Sequence, residues 1–312
     1  MREAHLRDFI AVIETGSVRG AARRLRLTQS AVSRNLTALE KSFGVQLLVR
    51  SAHGVEPTEY GRAVLRRARA VDSELRKMHE EIRTLSGNQS ALVGFGISAA
   101  AEALLLAPTV LEVRKQLPDT LLSIVGGHFG TTIAALREGR VDFAIGSVPA
   151  ALEAADLAKE RLFSTDLVIV ARHGHPAARS TKLSELCGYE WMVGSRISDN
   201  EPSLVALFEE RQLPPPRYAV QRESSHGLLH LLLGTDMLAV ASVAAIAPFC
   251  RHGLAGIIPI NAKIPPVVHY LIKLAGRPLT AAAAIVAAEF CKASRKHTAL
   301  APPSNHSSPP KR

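Results

Sequence analysis

Residues Thr15 to Thr37, TGSVRGAARRLRLTQSAVSRNLT, constrain what this chain can fold into more than any other stretch. They read as two short helices joined by a tight turn. Just upstream, Leu6, Phe9, Ile10 and Ile13 recur at helical spacing and predict an amphipathic helix over 4–14. Gly16 supplies its stop, and Ser17 can N-cap the next helix. Ala21, Ala22 and Leu25 form a compact inner face there, and two alanines let a following helix approach closely. Thr28 caps that following helix. Its inner positions are Val32, Leu36, Leu39 and Phe43, spaced four, three and four apart.

The opposite face of the third helix holds Gln29, Ser30, Ser33, Arg34, Thr37 and Lys41. Short polar side chains with one arginine in the first two turns suit the DNA major groove. Gln pairs with adenine, Arg with guanine, and Ser with bases or phosphates. The competing reading is an ordinary solvated helix face. The caps, the alanine pair and the turn agree on one motif, which favours the groove. Charge agrees too: of a formal net +10, residues 1–70 contribute +7, from 13 Lys/Arg against 6 Asp/Glu. A basic N-terminal quarter fits phosphate contacts and attraction to DNA. A membrane surface would attract the same charge. However, neither end carries an amphipathic helix with a large aromatic or leucine face to insert, and no apolar run reaches transmembrane length.

The segment EYGRAVLRRARAVDSELRKMHEEIRTLSG follows. Val64, Ala68, Val71, Leu75, Met78, Ile82 and Leu85 recur at alternating steps of four and three, a heptad seam over three repeats with charged flanks. So narrow a stripe packs against a second helix like itself; the alternative is packing on its own domain. Ser86 to Ser90 reads as a short flexible linker.

Residues 3 to about 62 resemble the winged helix-turn-helix of LysR-type transcriptional regulators. The residues that carry the resemblance are Leu6, Phe9, Gly16, Ser17, Ala21, Ala22, Leu25, Gln29, Ser30, Ala31, Ser33, Leu39, Glu40, Gly44, Leu47, Leu48, Arg50, Thr58, Gly61 and Leu65. The run LTQSAVSRNLTALEKSFGVQLLVR is close to the family pattern. The resemblance implies a wing over Leu47 to Pro57 with Arg50 placed for a phosphate, and dimerisation through the seam helix. Val49, where many members have Phe, is a departure expected to affect packing only. The expected DNA-facing set is Val18, Arg19, Arg23, Gln29, Ser30, Ser33, Arg34, Thr37, Arg50 and Thr58. A dimer presents two recognition helices to half-sites about one helical turn apart or more.

From Ala91 onward, strand-like and helix-like runs alternate. ALVGFGIS, TLLSIVG, VDFAIGS, DLVIVAR, RYAVQ, MLAVA and VVHYLIKL read as strands; 101–117, 129–139, 203–212 and 279–295 read as helices. Such alternation argues for open α/β sheets. The resemblance implies an α/β sensor of two subdomains joined by crossing strands, like a periplasmic binding protein. The expected organisation is an all-α winged helix-turn-helix over 1–59 and a linker helix over 60–90. An effector-binding domain over 91–297 follows, with subdomain I at 91–164 and 268–297 and subdomain II at 165–267. A disordered tail over 298–312, rich in Pro and Ser, completes the chain. Ligands in such folds sit at the carboxyl ends of strands, facing helix N-termini. Applied here, that rule selects Ser98, Ala99, Ala100, Gly127, His128, Gly146 and Ser147, and further on Ser195, Arg196 and Ser224. These match the family's effector cleft by position. Arg196 would clamp a small carboxylate or sulfonate, and His128 would bond or stack on an aromatic ligand. The competing reading makes them ordinary polar loop ends. RTLSG, REGRVDFAIG, LVIVARHGHPAA and VVHYLI look most like the family branch that includes regulators of toluenesulfonate use and of a galactose-binding protein.

Other chemistry finds little support. There is no G-x-S-x-G turn, no G-x-x-x-x-G-K-[ST] loop and no G-x-G-x-x-G opening a helix, so an enzyme is not expected. His226 and His230 are four apart, and His173 and His175 flank a glycine, but no ligand cluster completes either pair, so neither a metal nor a cofactor is expected. Cys187, Cys250 and Cys291 are odd in number and widely spaced, and the charged N-terminus lacks an apolar core. A reducing cytoplasm is the natural setting. The expectation is a regulator, dimeric or tetrameric, with promoter DNA, a small-molecule effector and RNA polymerase as partners. The effector would be an aromatic acid, sulfonate or sugar-derived anion. The alternative is a ligand-independent or architectural DNA-binding protein.

Overall fold

Gly16 ends helix α1 (Glu3–Thr15) by taking φ 67°, a left-handed conformation that glycine adopts without steric cost. In this computed structural model, residues 2–51, 54–85, 91–149, 154–194, 202–222 and 225–300 are described. The chain divides into one unit of Met1–Asn88 with Arg137–Arg140 and another of Gln89–Leu136 with Val141–Arg312.

In the first unit, the Ser17 hydroxyl accepts the Gly20 N–H at 3.0 Å and starts α2 (Val18–Leu25). The tight turn that follows is made by Arg26 at φ 55°. That conformation costs a non-glycine residue roughly 1–2 kcal/mol. The turn is closed by the Leu27 N–H donating to the Ala22 carbonyl at 2.9 Å. Thr28 Oγ1 then accepts the Ala31 N–H at 3.2 Å and caps α3 (Gln29–Phe43). Phe9, Val12, Ala21, Val32 and Leu39 are fully buried between these helices. Phe43, expected on the inner stripe, is 44% exposed. It is the last residue of α3, where the chain already turns away at Gly44, so the stripe ends at Leu39.

The wing is a two-stranded antiparallel hairpin, β1 (Leu48–Ser51) with β2 (Gly54–Pro57), so the unit is not wholly helical. Glu40 holds its base: Oε1 accepts the Leu47 and Leu48 N–H groups at 2.8 and 3.2 Å. The Val55 N–H donates to the Gly16 carbonyl at 2.8 Å, and a Cβ at Gly54 would lie 2.5 Å from that oxygen. Helix α4 (Glu59–Leu85) follows. Its first turn meets the Leu47 carbonyl so closely that any Cβ at Gly61 would collide with it.

The second unit is a mixed sheet flanked by helices. Strand β3 (Leu92–Ile97) leads to α5 (Ala99–Ala101), which passes through a π-helical turn (Glu102–Leu106) into α6 (Ala107–Gln116). Next come β4 (Leu121–Gly126), α7 (Phe129–Arg137), β5 (Phe143–Ser147) and β6 (Leu157–Arg172). After them lie β7 (Glu190–Gly194), α8 (Pro202–Glu209), β8 (Arg217–Arg222), α9 (Ser225–Gly234) and β9 (Leu238–Ser242). The chain finishes with α10 (Val243–Arg251), β10 (Ala255–Ile257), β11 (Ile264–Leu274) and α11 (Ala281–Leu300). Strand order is β4-β3-β5-β11-β6-β9-β7-β8, with β10 also on β6. The triplets β4-β3-β5 and β9-β7-β8 are each parallel, and the long antiparallel pair β6–β11 joins them. Phe95, Phe143 and Phe290 cluster with ring centroids 5.0–6.1 Å apart on one triplet; Trp191 meets Phe208 edge-on at 5.9 Å on the other.

Four differences from the sequence expectation stand out. Strand β6 begins at Leu157, not Asp166, because Lys159, Glu160 and Arg161 carry charge outward while their backbone pairs with β11. Strand β7 was not anticipated: Trp191, Met192 and Val193 are all buried, so no alternation marks it. Nor were helices α9 and α10. Helix α11 runs to Leu300, so residues 298–300, assigned to a disordered tail, are helical; residues 301–312 lie outside the described residues. Replacing Glu40 with Ala would leave the buried Leu47 N–H without its acceptor. The expected loss is about 1–3 kcal/mol in the N-terminal unit, read as faster amide exchange at Leu47 and Leu48 and an earlier thermal transition.

Candidate nucleic-acid interface and effector cleft

Helix α3 presents Gln29, Ser30, Ser33, Arg34 and Thr37 as an exposed row, opposite buried Val32, Leu36 and Leu39. Ser30 Oγ lies 3.1 Å from Thr28 Oγ1, and the Thr37 hydroxyl donates back to the Ser33 carbonyl at 3.0 Å. Arg34 is therefore the long cationic group within a row of short side chains. Arg19 and Arg23 are exposed as well, and none of the three has an ion-pair partner among the described residues. Arg24, by contrast, is held by Glu14 at 2.7 Å.

Three expected contacts need restating. Val18 is half-buried and packs on the N-terminal core, so its apolar side chain serves the fold. Thr58 is spent on the N-terminus of α4: its hydroxyl donates to the Gln46 carbonyl at 2.9 Å and accepts the Gly61 N–H at 2.9 Å. The Arg50 side chain lies outside the described residues. Sequence reading also passed over Asp8 and Asn35, joined at 2.7 Å. The signal was a lone carboxylate inside the apolar stripe of α1.

The seam of α4 divides. Ala68 is buried, and Val64 and Leu65 are half-buried, against the core of the same chain. Those first positions, expected to meet a second copy, are instead covered by α1 and its neighbours in the fold. Further along, Val71, Met78 and Ile82 stand exposed, the last two at 52% and 60%, with Leu75 half-buried among them. The side chain of Leu85 lies outside the described residues.

In the second unit, three of the expected effector turns come together. The Ser98 N–H donates to the Ile145 carbonyl at 2.9 Å, and the Gly127 N–H to the Ile97 carbonyl at 3.1 Å. A Cβ on Gly146 would lie 3.7 Å from Ser98 Cβ. Ser98, Gly127, His128, Gly146 and Ser147 thus share one end of the first parallel triplet. Ala100 is buried in the adjacent core, so only its backbone is available there. Ser195, Arg196 and Ser224 lie outside the described residues. The end of β9, which the strand-end rule applied to the sequence did not select, lies beside this cluster. The Ser242 hydroxyl accepts the Ala245 N–H at 3.2 Å, and Ala244 packs on the cluster containing Ala100, Ala101 and Leu105. The signal was present: a strand ending in Ser before a helix, as at Ser98. A surface groove of about 330 Å³, lined by Glu160, Lys273, Cys291 and Arg295 among others, includes none of the expected effector residues.

His175, weighed as a metal ligand, has both ring nitrogens engaged. Nδ1 accepts the Ala177 N–H at 3.0 Å, and Nε2 lies 3.1 Å from the Asp236 carbonyl. Among the described residues, no group of three or more His, Cys, Asp or Glu side chains is gathered for a metal, and no helix is long and apolar enough to cross a membrane.

Two family descriptions match this chain. "Bacterial regulatory helix-turn-helix protein, lysR family" covers residues 4–62, and "LysR substrate binding domain" covers 86–294. The HTH-type transcriptional regulator GbpR of Azospirillum brasilense is 30% identical over 299 residues, spanning 93% of this chain and 87% of that one. Full-length CbnR solved with its target DNA is similar in fold, with a TM-score of 0.66 at 20% identity over 95% of this chain and 99% of that one. Full-length LysG of Corynebacterium glutamicum, solved with bound effector Arg, gives 0.60 at 19% identity over the same shares.

One buried group gives the second unit a measurable pH dependence. His269 of β11 sits opposite Ser147 of β5, is 4% exposed, and stacks on Phe163 with ring centroids 4.6 Å apart. Burial pushes its pKa down from 6.5 to about 4, against the smaller pull of a backbone hydrogen bond at Val267. The unfolded chain thus takes up a proton that the fold refuses. Stability falls as pH drops from about 6.5 to about 4, by up to about 3 kcal/mol. The thermal midpoint should decline through that window, and His269→Gln should flatten the decline. A slope indifferent to the substitution would assign it to other groups.

Proposed function

The chain belongs to the LysR family of bacterial helix-turn-helix regulatory proteins, and from that premise we propose how this member reads DNA and is controlled. It is a DNA-binding transcriptional regulator whose C-terminal unit is an effector-binding domain. Helix α3 enters the major groove, with Gln29, Ser30, Ser33 and Arg34 meeting base edges and Arg19, Arg23 and Arg50 near phosphates. The observation that carries this reading is the capped, exposed polar row of α3, centred on an arginine with no ion-pair partner among the described residues. CbnR, similar in fold, was solved on its target DNA.

Two copies pair through Val71, Leu75, Met78 and Ile82 of α4, which puts two recognition helices on one operator. A second interface would make a tetramer. The effector is a small anion, such as an aromatic acid, a sulfonate or a sugar acid. It is held by N–H groups after β3 and β9, by the hydroxyls of Ser98, Ser147 and Ser242, and by Arg196 as clamp. LysG, also similar in fold, was solved with its effector Arg. Binding biases the sensor between two states by its difference in affinity for them, and the change reaches RNA polymerase through the bend of the promoter. The protein acts in the cytoplasm and is not an enzyme.

Two outcomes test this. Arg34→Ala should lose roughly 1–3 kcal/mol of discrimination between a footprinted operator and random duplex; an unchanged ratio removes Arg34 as a base reader. Met78→Asp with Ile82→Asp should shift the protein to monomer in sedimentation while the N-terminal transition stays in place. A dimer that survives both charges moves the interface off α4.

A further inference from the structure

Among the described residues, Asp8 is the fully buried carboxylate of the N-terminal unit. Asp8 is 0% exposed, on a helix face otherwise built from Leu6, Phe9, Ile10 and Val12. Its Oδ2 accepts a hydrogen bond from Asn35 Nδ2 at 2.7 Å, across 27 residues of chain. Its Oδ1 has no hydrogen-bond partner among the described residues, and the Arg7 Nε lies 3.8 Å away on a half-exposed side chain. A carboxylate so placed is a net cost relative to an apolar residue of similar volume, because one hydrogen bond and one long ion pair do not offset its desolvation. What the pair contributes is direction. Apolar contacts at Val32, Leu36 and Leu39 hold α3 against its neighbours but tolerate small rotations about its axis. A 2.7 Å hydrogen bond does not.

Asn35 directly follows Arg34 and lies two residues before Thr37. On a helix of 3.6 residues per turn, fixing the azimuth of one residue fixes its neighbours. We propose that Asp8 and Asn35 form a positioning pair that sets the rotation of α3, and so determines which base edges Arg34 and Ser33 reach. Neither residue touches DNA. The proposal rests on the reading of α3 as a groove-binding helix.

The test is selection of binding sites by the full-length chain from a randomised duplex pool. It compares the wild type, Asp8→Leu with Asn35→Leu, and the exchange Asp8→Asn with Asn35→Asp. Removing both partners together leaves no orphaned polar group, so the leucine pair should unfold no earlier than the wild type. Its non-specific affinity should be unchanged, while its preference for the selected site over random duplex falls roughly tenfold. The exchange restores a hydrogen bond with donor and acceptor reversed, and should restore the preference. If leucines overpack the site, Asp8→Ala with Asn35→Ala makes the same comparison. A folded variant without the pair that selects the same motif with wild-type discrimination overturns the proposal. So does an exchange variant that folds but stays non-selective. If the wild type itself enriches no motif, the groove-binding reading fails, and the proposal with it.

Discussion

Everything in the N-terminal unit depends on how closely α3 approaches α1 and α2. Ala21 and Ala22 make that approach possible because they leave no side chain beyond Cβ at the crossing. The remaining devices hold it in place. Gly16 ends α1 and offers its carbonyl to Val55 of the wing. Glu40 of α3 reaches forward to the N–H groups that open the wing, and the Leu47 carbonyl receives the first turn of α4. The chain thus returns repeatedly to a few backbone groups. A helix held at both ends can present the row from Gln29 to Thr37 without its side chains having to support the fold.

The second unit follows a similar economy with strands in place of helices. The β6–β11 pair spans both parallel triplets, and each triplet leaves strand ends that lead into helix N-termini. Ser98 and Ser242 cap two such helices, and Ala244 lies against the cluster that supports α5. Polar backbone groups at strand ends are thereby gathered where helices begin.

Local features of this architecture were legible in the sequence, and features set by distant neighbours were not. Gly16, Ser17 and Thr28 could be assigned because a cap involves residues three apart. Phe43 continues a perfectly good period, but periodicity does not record where the packing partners end. Ala68 fits the heptad as well as Met78 does; only the fold shows that its part of the stripe is already covered. Thr58 belongs to the expected DNA-facing set by its place beside the wing, and only the fold shows its hydroxyl bonded at the N-terminus of α4. The charged start of β6 hid the first half of that strand, and the buried run Trp191, Met192 and Val193 hid β7, since neither alternates. Ser98, Gly127 and Ser147 followed from a topological rule, whereas His269 lies opposite Ser147 through an antiparallel pairing across more than a hundred residues.

The divided stripe of α4 has a consequence for dosage. Part of it completes the core of its own chain, while Val71, Met78 and Ile82 remain exposed. Where that bare stretch pairs, assembly is a mass-action step separate from folding. Under the proposed pairing, operator occupancy would rise more steeply than in proportion to copy number. A cell holding few molecules would keep its promoters largely vacant, and a modest increase in expression would fill them, before any effector is bound.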